Sequence, residues 1–124
     1  MGTTNAKTEA ALLMVWGQPV RGREKRANDQ LRESVRYLKR LQEEGRIERF
    51  EWGGLAPQAE DLWGFVLLRG TTEQIDALRR TEEYARWVLR VGLVADRVRV
   101  VDATVDEELL ARNMNFYDET IEGL

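Results

Sequence analysis

The sequence predicts one α+β domain, a four-stranded antiparallel sheet with its helices on one face. Three observations predict it. Two short apolar runs, Ala10–Trp16 and residues 61–69, end at glycine and read as buried strands. Two further segments, 46–55 and 97–103, alternate charge with bulk as edge strands do. Between them, apolar residues recur every three or four positions, the spacing of amphipathic helices.

The first strand, from Ala10 through Leu12, Leu13, Met14 and Val15 to Trp16, is closed by Gly17 and Pro19. Its apolarity on alternate residues of both parities predicts burial on both faces. A helix over 21–44 follows, with Ala27, Leu31, Val35, Leu38 and Leu41 on one stripe and Gly45 placed to cap it. In the second strand Ile47, Arg49 and Glu51 share one side, and Phe50 and Trp52 the other. The third strand is again apolar on both sides: Trp63, Phe65 and Leu67 against Leu62, Val66 and Leu68. Thr71 and Gln74 form the S/T-x-x-E/Q pattern of a capping box, and the helix it opens is expected to break near Thr81. Val98 and Val100 alternate with Arg97 and Arg99 in the fourth strand. Thr104 and Glu107 suggest a second capping box, opening a last helix over 105–123 whose stripe is Leu110, Met114, Tyr117 and Ile121. That stripe predicts a docked helix, on its own domain or on a partner.

The order β-α-β-β-α-β is the ferredoxin-like split βαβ pattern with an additional C-terminal helix. Residues 10–124 are expected to form this single domain, after a flexible tail over 1–9. A sheet with helices on one side leaves its other side bare. Here that side would be apolar, which predicts a homodimer paired sheet to sheet.

On this element order, over residues 10–103, the chain resembles the dimeric α+β barrel superfamily. It is similar there to uncharacterised bacterial relatives of the YCII-type and antibiotic-biosynthesis-monooxygenase-type proteins. The stretch from Leu68, Arg69 and Gly70 to Thr81, Glu82 and Tyr84, a strand followed by a two-part helix, is the more local likeness. The resemblance implies a dimer and, for some members, cofactor-free chemistry on an aromatic substrate. Haem-binding and YCII-type members rely on histidine, which this chain lacks.

Composition narrows the chemistry. With 124 residues, 43% hydrophobic and 33% charged, the chain can build a real core. It contains no cysteine and no histidine, which removes thiolate chemistry, the commonest general base and the commonest metal ligand. No metal and no cofactor are expected. A net charge of −3 offers no general attraction to nucleic acid or to an anionic membrane, and the basic stretch 21–26 reads as a solvated helix start. The cytoplasm is the expected compartment.

Two groups of residues stand out as ligand-binding candidates. The four tryptophans, among them Trp16 and Trp63, suit core and interface packing, or the lining of an aromatic pocket. Arg49, Glu51 and Arg99, with Arg97, suit an ion-pair rim between subunits, or an anion-binding site at the barrel mouth. No catalytic motif is present. The sequence favours a non-catalytic small-ligand-binding or interaction module over the alternative, a cofactor-free monooxygenase or isomerase acting on an aromatic or lactone-like metabolite.

Overall fold

A computed structural model describes residues 8–56 and 59–124. The chain runs β1 (Ala10–Trp16), α1 (Glu24–Glu43), β2 (Arg49–Gly54), β3 (Gly64–Gly70), α2 (Thr72–Arg79), α3 (Glu82–Val94), β4 (Arg99–Ala103) and α4 (Glu107–Glu122). The sheet order is β2-β3-β1-β4, with every neighbouring pair antiparallel. The two apolar runs therefore lie at its centre and the two charged strands at its edges. This is the ferredoxin-like α+β arrangement.

The helices owe their ends to local chemistry. Gly45 takes φ +73°, the left-handed turn that ends α1 at little cost to a residue without Cβ. The Thr71 hydroxyl accepts the Gln74 N–H at 3.1 Å, and the Gln74 carboxamide accepts the Thr71 N–H at 2.8 Å, completing the box at the start of α2. Thr81 caps α3 by accepting the Tyr84 N–H, so the helix breaks at Thr81.

The core lies between the sheet and α1, α2 and α3. Leu12 and Met14 of β1 and Val66 and Leu68 of β3 pack there against Leu38, Leu41, Ile75, Leu78, Trp87 and Val91. Strand register assigns the other side: Leu13 and Val15 on β1, Phe65, Leu67 and Arg69 on β3, Arg49 and Glu51 on β2, Arg99 and Val101 on β4. Burial of β1 and β3 on both faces was the expectation. In the single chain only the helix side is closed, and Leu13, Val15, Phe65 and Leu67 remain partly accessible.

Other expectations need correction. The β4 strand starts at Arg99 rather than Arg97, because Arg97 takes φ +54° and cannot continue a strand. The cap of α4 is Asp106, whose carboxylate accepts the Leu109 N–H at 3.0 Å, rather than Thr104. Its extended backbone, φ −82° and ψ 126°, suits an N-cap, and Glu107 and Glu108 follow in the first turn where the helix dipole favours acids. The expected docking of α4 is not met within the chain: no strand or other helix packs on it, and none of its residues is buried. Of the expected tail, residues 1–7 lie outside the described residues. Glu9 is tied down, its carboxylate accepting the Thr72 N–H at 3.0 Å.

Candidate functional site

A cavity of about 260 Å³ opens between the sheet and the helices, where β1, β2 and β3 come together at the end marked by Trp16, Gly54 and Gly64. The N-terminal half of α1 and the C-terminal half of α3 form its far wall. Its floor is held by two neighbouring segments: the Gly17 N–H donates to the Asp96 carbonyl at 2.8 Å, and the Val20 N–H to the Val94 carbonyl at 2.9 Å.

All four tryptophans of the chain line this one space. Trp16, at the end of β1, stands over Gly64: a Cβ at Gly64 would come within 2.5 Å of the Trp16 ring. The absence of a side chain there is what gives the indole its seat. Trp63 is fixed by its backbone, its N–H donating to the Trp16 carbonyl at 2.8 Å and its carbonyl accepting the Leu55 N–H at 2.9 Å. Trp52 and Trp63 are 48% and 37% exposed and make the mouth. Trp87, 1% exposed, closes the depth. Behind it, its ring is held between Tyr37 and Tyr84, with centroids 5.3 and 5.8 Å away and tilted faces, the arrangement aromatic quadrupoles favour.

The wall carries one polar cluster. Gln30 and Ser34 are the buried polar side chains among the described residues, and both line the cavity. The Ser34 hydroxyl accepts the Trp87 indole N–H at 2.8 Å and a 3.3 Å contact from the Gln30 amide, and donates to the Gln30 backbone carbonyl at 2.8 Å. Its hydrogen-bonding capacity is filled, while the Gln30 side-chain oxygen accepts no hydrogen bond among the described residues. Asn28 stands on the same wall. No ionisable side chain lines the cavity among the described residues. The nearest perturbed groups lie behind the wall. Burial, reinforced by the Glu83 charge and opposed by Arg46 and Arg40, pushes the Tyr37 hydroxyl up to about 12. Burial also raises Tyr84, with Arg79 opposing.

Of the candidates read from sequence, Trp16 and Trp63 lie together on this cavity. Arg49, Glu51 and Arg99 do not join them; they lie across the sheet, on its uncovered side. They do not form a common cluster there either. Glu51 pairs with Arg69 at 2.7 Å, and Arg99 donates to the Asp61 carbonyl at 2.5 Å. Arg49 stands opposite Arg69 in register and has no ion-pair partner among the described residues. Sequence reasoning missed Gln30 and Ser34. The signal was a row on α1, Gln30-Ser34-Tyr37-Leu41, in which two polar residues occupy a helical face that ends in core.

Among the described residues no group of three or more acidic, histidine or cysteine side chains is placed to hold a metal ion, and no helix is long and apolar enough to cross a membrane.

Compared by sequence, the chain matches no protein-family model and no curated protein. Compared by structure, it is similar to a dimeric ferredoxin-like protein of unknown function from Jannaschia sp. CCS1, with a TM-score of 0.61 and 19% identity over 77% of this chain and 99% of that one. It is also similar to a hypothetical protein of Arabidopsis thaliana, with a TM-score of 0.65 and 9% identity over 85% and 95% of the two chains. A hydroxynitrile lyase from Passiflora edulis aligns with a TM-score of 0.63 and 11% identity over 82% and 97%. At these identities the likeness is one of fold.

Proposed function

We propose that this protein is a non-catalytic homodimer that binds a small, flat, uncharged ligand in the four-tryptophan cavity. The observation that carries the reading is the convergence of every tryptophan on one space whose lining has no charge. Indole faces offer large, rigid, apolar contact, and an uncharged wall makes a ligand ion give up its hydration without compensation. The volume, close to that of nine liquid waters, suits a mono- or bicyclic aromatic molecule. Gln30 and Asn28 supply the hydrogen bonds that would orient it.

A cofactor-free monooxygenase or isomerase, as in antibiotic-biosynthesis-monooxygenase-type relatives, would need a group to move a proton. The one hydroxyl on the deep wall, Ser34, has its proton committed to the Gln30 carbonyl and no base beside it. Binding is therefore the better-supported role. The dimer reading rests on the uncovered sheet face, with Leu13, Val15, Phe65 and Leu67 at its centre, and on the dimeric description of the Jannaschia protein.

Nuclear magnetic resonance tests the ligand directly, because the four indole N–H signals all report from the cavity. Titration with indole should shift them, with a dissociation constant below about 1 mM. Indole-3-acetate should bind at least about tenfold more weakly. Indole signals that stay still while indole is raised to its solubility limit would refute the reading.

A further inference from the structure

The apolar side of α4 is a large surface on which no other described helix or strand packs. Leu110, Met114, Tyr117 and Ile121 share a stripe, and these residues are 41% to 67% exposed. Tyr117 alone leaves on the order of 100 Å² accessible. With the three aliphatic residues added, the patch approaches the largest found on ordinary monomers. Glu108 and Glu119 occupy the opposite arc, while Glu107 and Asp118 flank the stripe. A helix with this division is built to lie on something, and among the described residues no other helix or strand packs on it.

Three facts select the occupant. First, residues 106–124 hold six of the 22 acidic side chains and one of the 19 basic ones, so the remainder of the chain is net positive. Acidic arm and basic body are complementary, and both belong to this chain. Second, the body offers an uncovered apolar sheet face with Arg49, unpaired among the described residues, at its edge. Third, only Thr104, Val105 and Asp106 separate α4 from β4, an edge strand, and the Asp106 cap fixes where the helix starts. The helix therefore starts at the edge of the sheet whose uncovered face a second copy would meet.

We infer that α4 is an exchanged arm: in the homodimer proposed above, on which this inference rests, each α4 lays its Leu110–Met114–Tyr117–Ile121 stripe on the second copy. Each protomer then covers apolar surface on the other twice, once with its sheet and once with its arm.

The test is made on the full chain. Because Met114 and Tyr117 are exposed within the protomer, Met114→Glu with Tyr117→Glu should leave the fold intact, as read by circular dichroism. By sedimentation equilibrium the dimer dissociation constant should rise at least about 100-fold. In a separate variant, photoreactive p-benzoylphenylalanine replaces Tyr117. Irradiation at a concentration where the protein is dimeric should yield covalent dimers on a denaturing gel. Glu-substituted protein that dimerises as tightly as wild type, or cross-links confined to single chains, would overturn the arm while leaving the sheet-paired dimer standing. Wild-type protein that is monomeric at high concentration would overturn both.

Discussion

Ser34 links the cavity to the stability of the fold, and Ser34→Ala measures that link. The substitution removes the acceptor of the Trp87 indole N–H, a 2.8 Å bond inside a residue that is 1% exposed. A buried donor left without a partner costs about 1–3 kcal/mol. The contact from the Gln30 amide, at 3.3 Å, adds little. Alanine returns about 0.5 kcal/mol, since it is the better helix former and Ser34 lies inside α1. The net expectation is a loss of about 1–2 kcal/mol, or roughly 4–8 °C in melting temperature for a domain of this size. Chemical denaturation followed by far-ultraviolet circular dichroism gives the free energy without relying on the tryptophans. A double-mutant cycle isolates the bond: in a Trp87→Phe background, where no indole N–H remains, Ser34→Ala should cost less than about 0.5 kcal/mol. If it costs the same in both backgrounds, Ser34 is not the acceptor that holds Trp87, and the polar wall of the cavity has been misread.

Two further substitutions probe the neighbours of that wall. Tyr37→Phe removes a buried hydroxyl that has no hydrogen-bond partner among the described residues, and should raise stability at neutral pH by about 1 kcal/mol in denaturant melts. The Tyr37 hydroxyl ionises near 12 in the folded protein and near 10 when unfolded, so deprotonation favours the unfolded chain. Wild type should therefore lose about 2–3 kcal/mol as pH rises from about 10 to 12, and the Phe variant should lack this share of the loss. Gly64→Ala places a methyl 2.5 Å from the Trp16 ring, which must swing away; it should cost about 1–3 kcal/mol and abolish indole binding, whereas Gly54→Ala, with nothing within 4 Å of its new methyl, should do neither.

Much of the fold was legible because its signals are local. The two apolar runs mark the central strands, and the alternating runs mark the edges. Thr71 with Gln74, and then Thr81, mark where one helical stretch divides in two. The errors fall where tertiary geometry overrides a pattern. Residues 97 and 98 alternate like a strand, yet Arg97 turns left-handed and delays β4. Ile47 alternates with Arg49 and Glu51 but is buried in the turn after Gly45, ahead of β2, where Arg46 donates its N–H back to the Leu41 carbonyl. The cap at 106 could not be told from one at 104, because Thr104 and Asp106 each have a side chain able to cap and an acid three or two residues on.

The site was less legible, for a geometric reason. Tryptophans in a core and tryptophans around a cavity obey the same spacing, so periodicity cannot separate them. Only the end-on meeting of Trp16 with Gly64 and Trp63, set by antiparallel register, brings them together. The charged candidates illustrate the converse. Arg49 and Glu51 alternate with Phe50 and Trp52, and Arg99 precedes Val100, so strand parity alone separates them from the cavity. The parity that sends Trp52 toward the helices sends Arg49 and Glu51 to the other side of the sheet. Charge is thereby kept from the tryptophan lining and collected at the margin of the uncovered apolar face. The neutral ligand and the second copy proposed above would therefore meet opposite sides of the sheet.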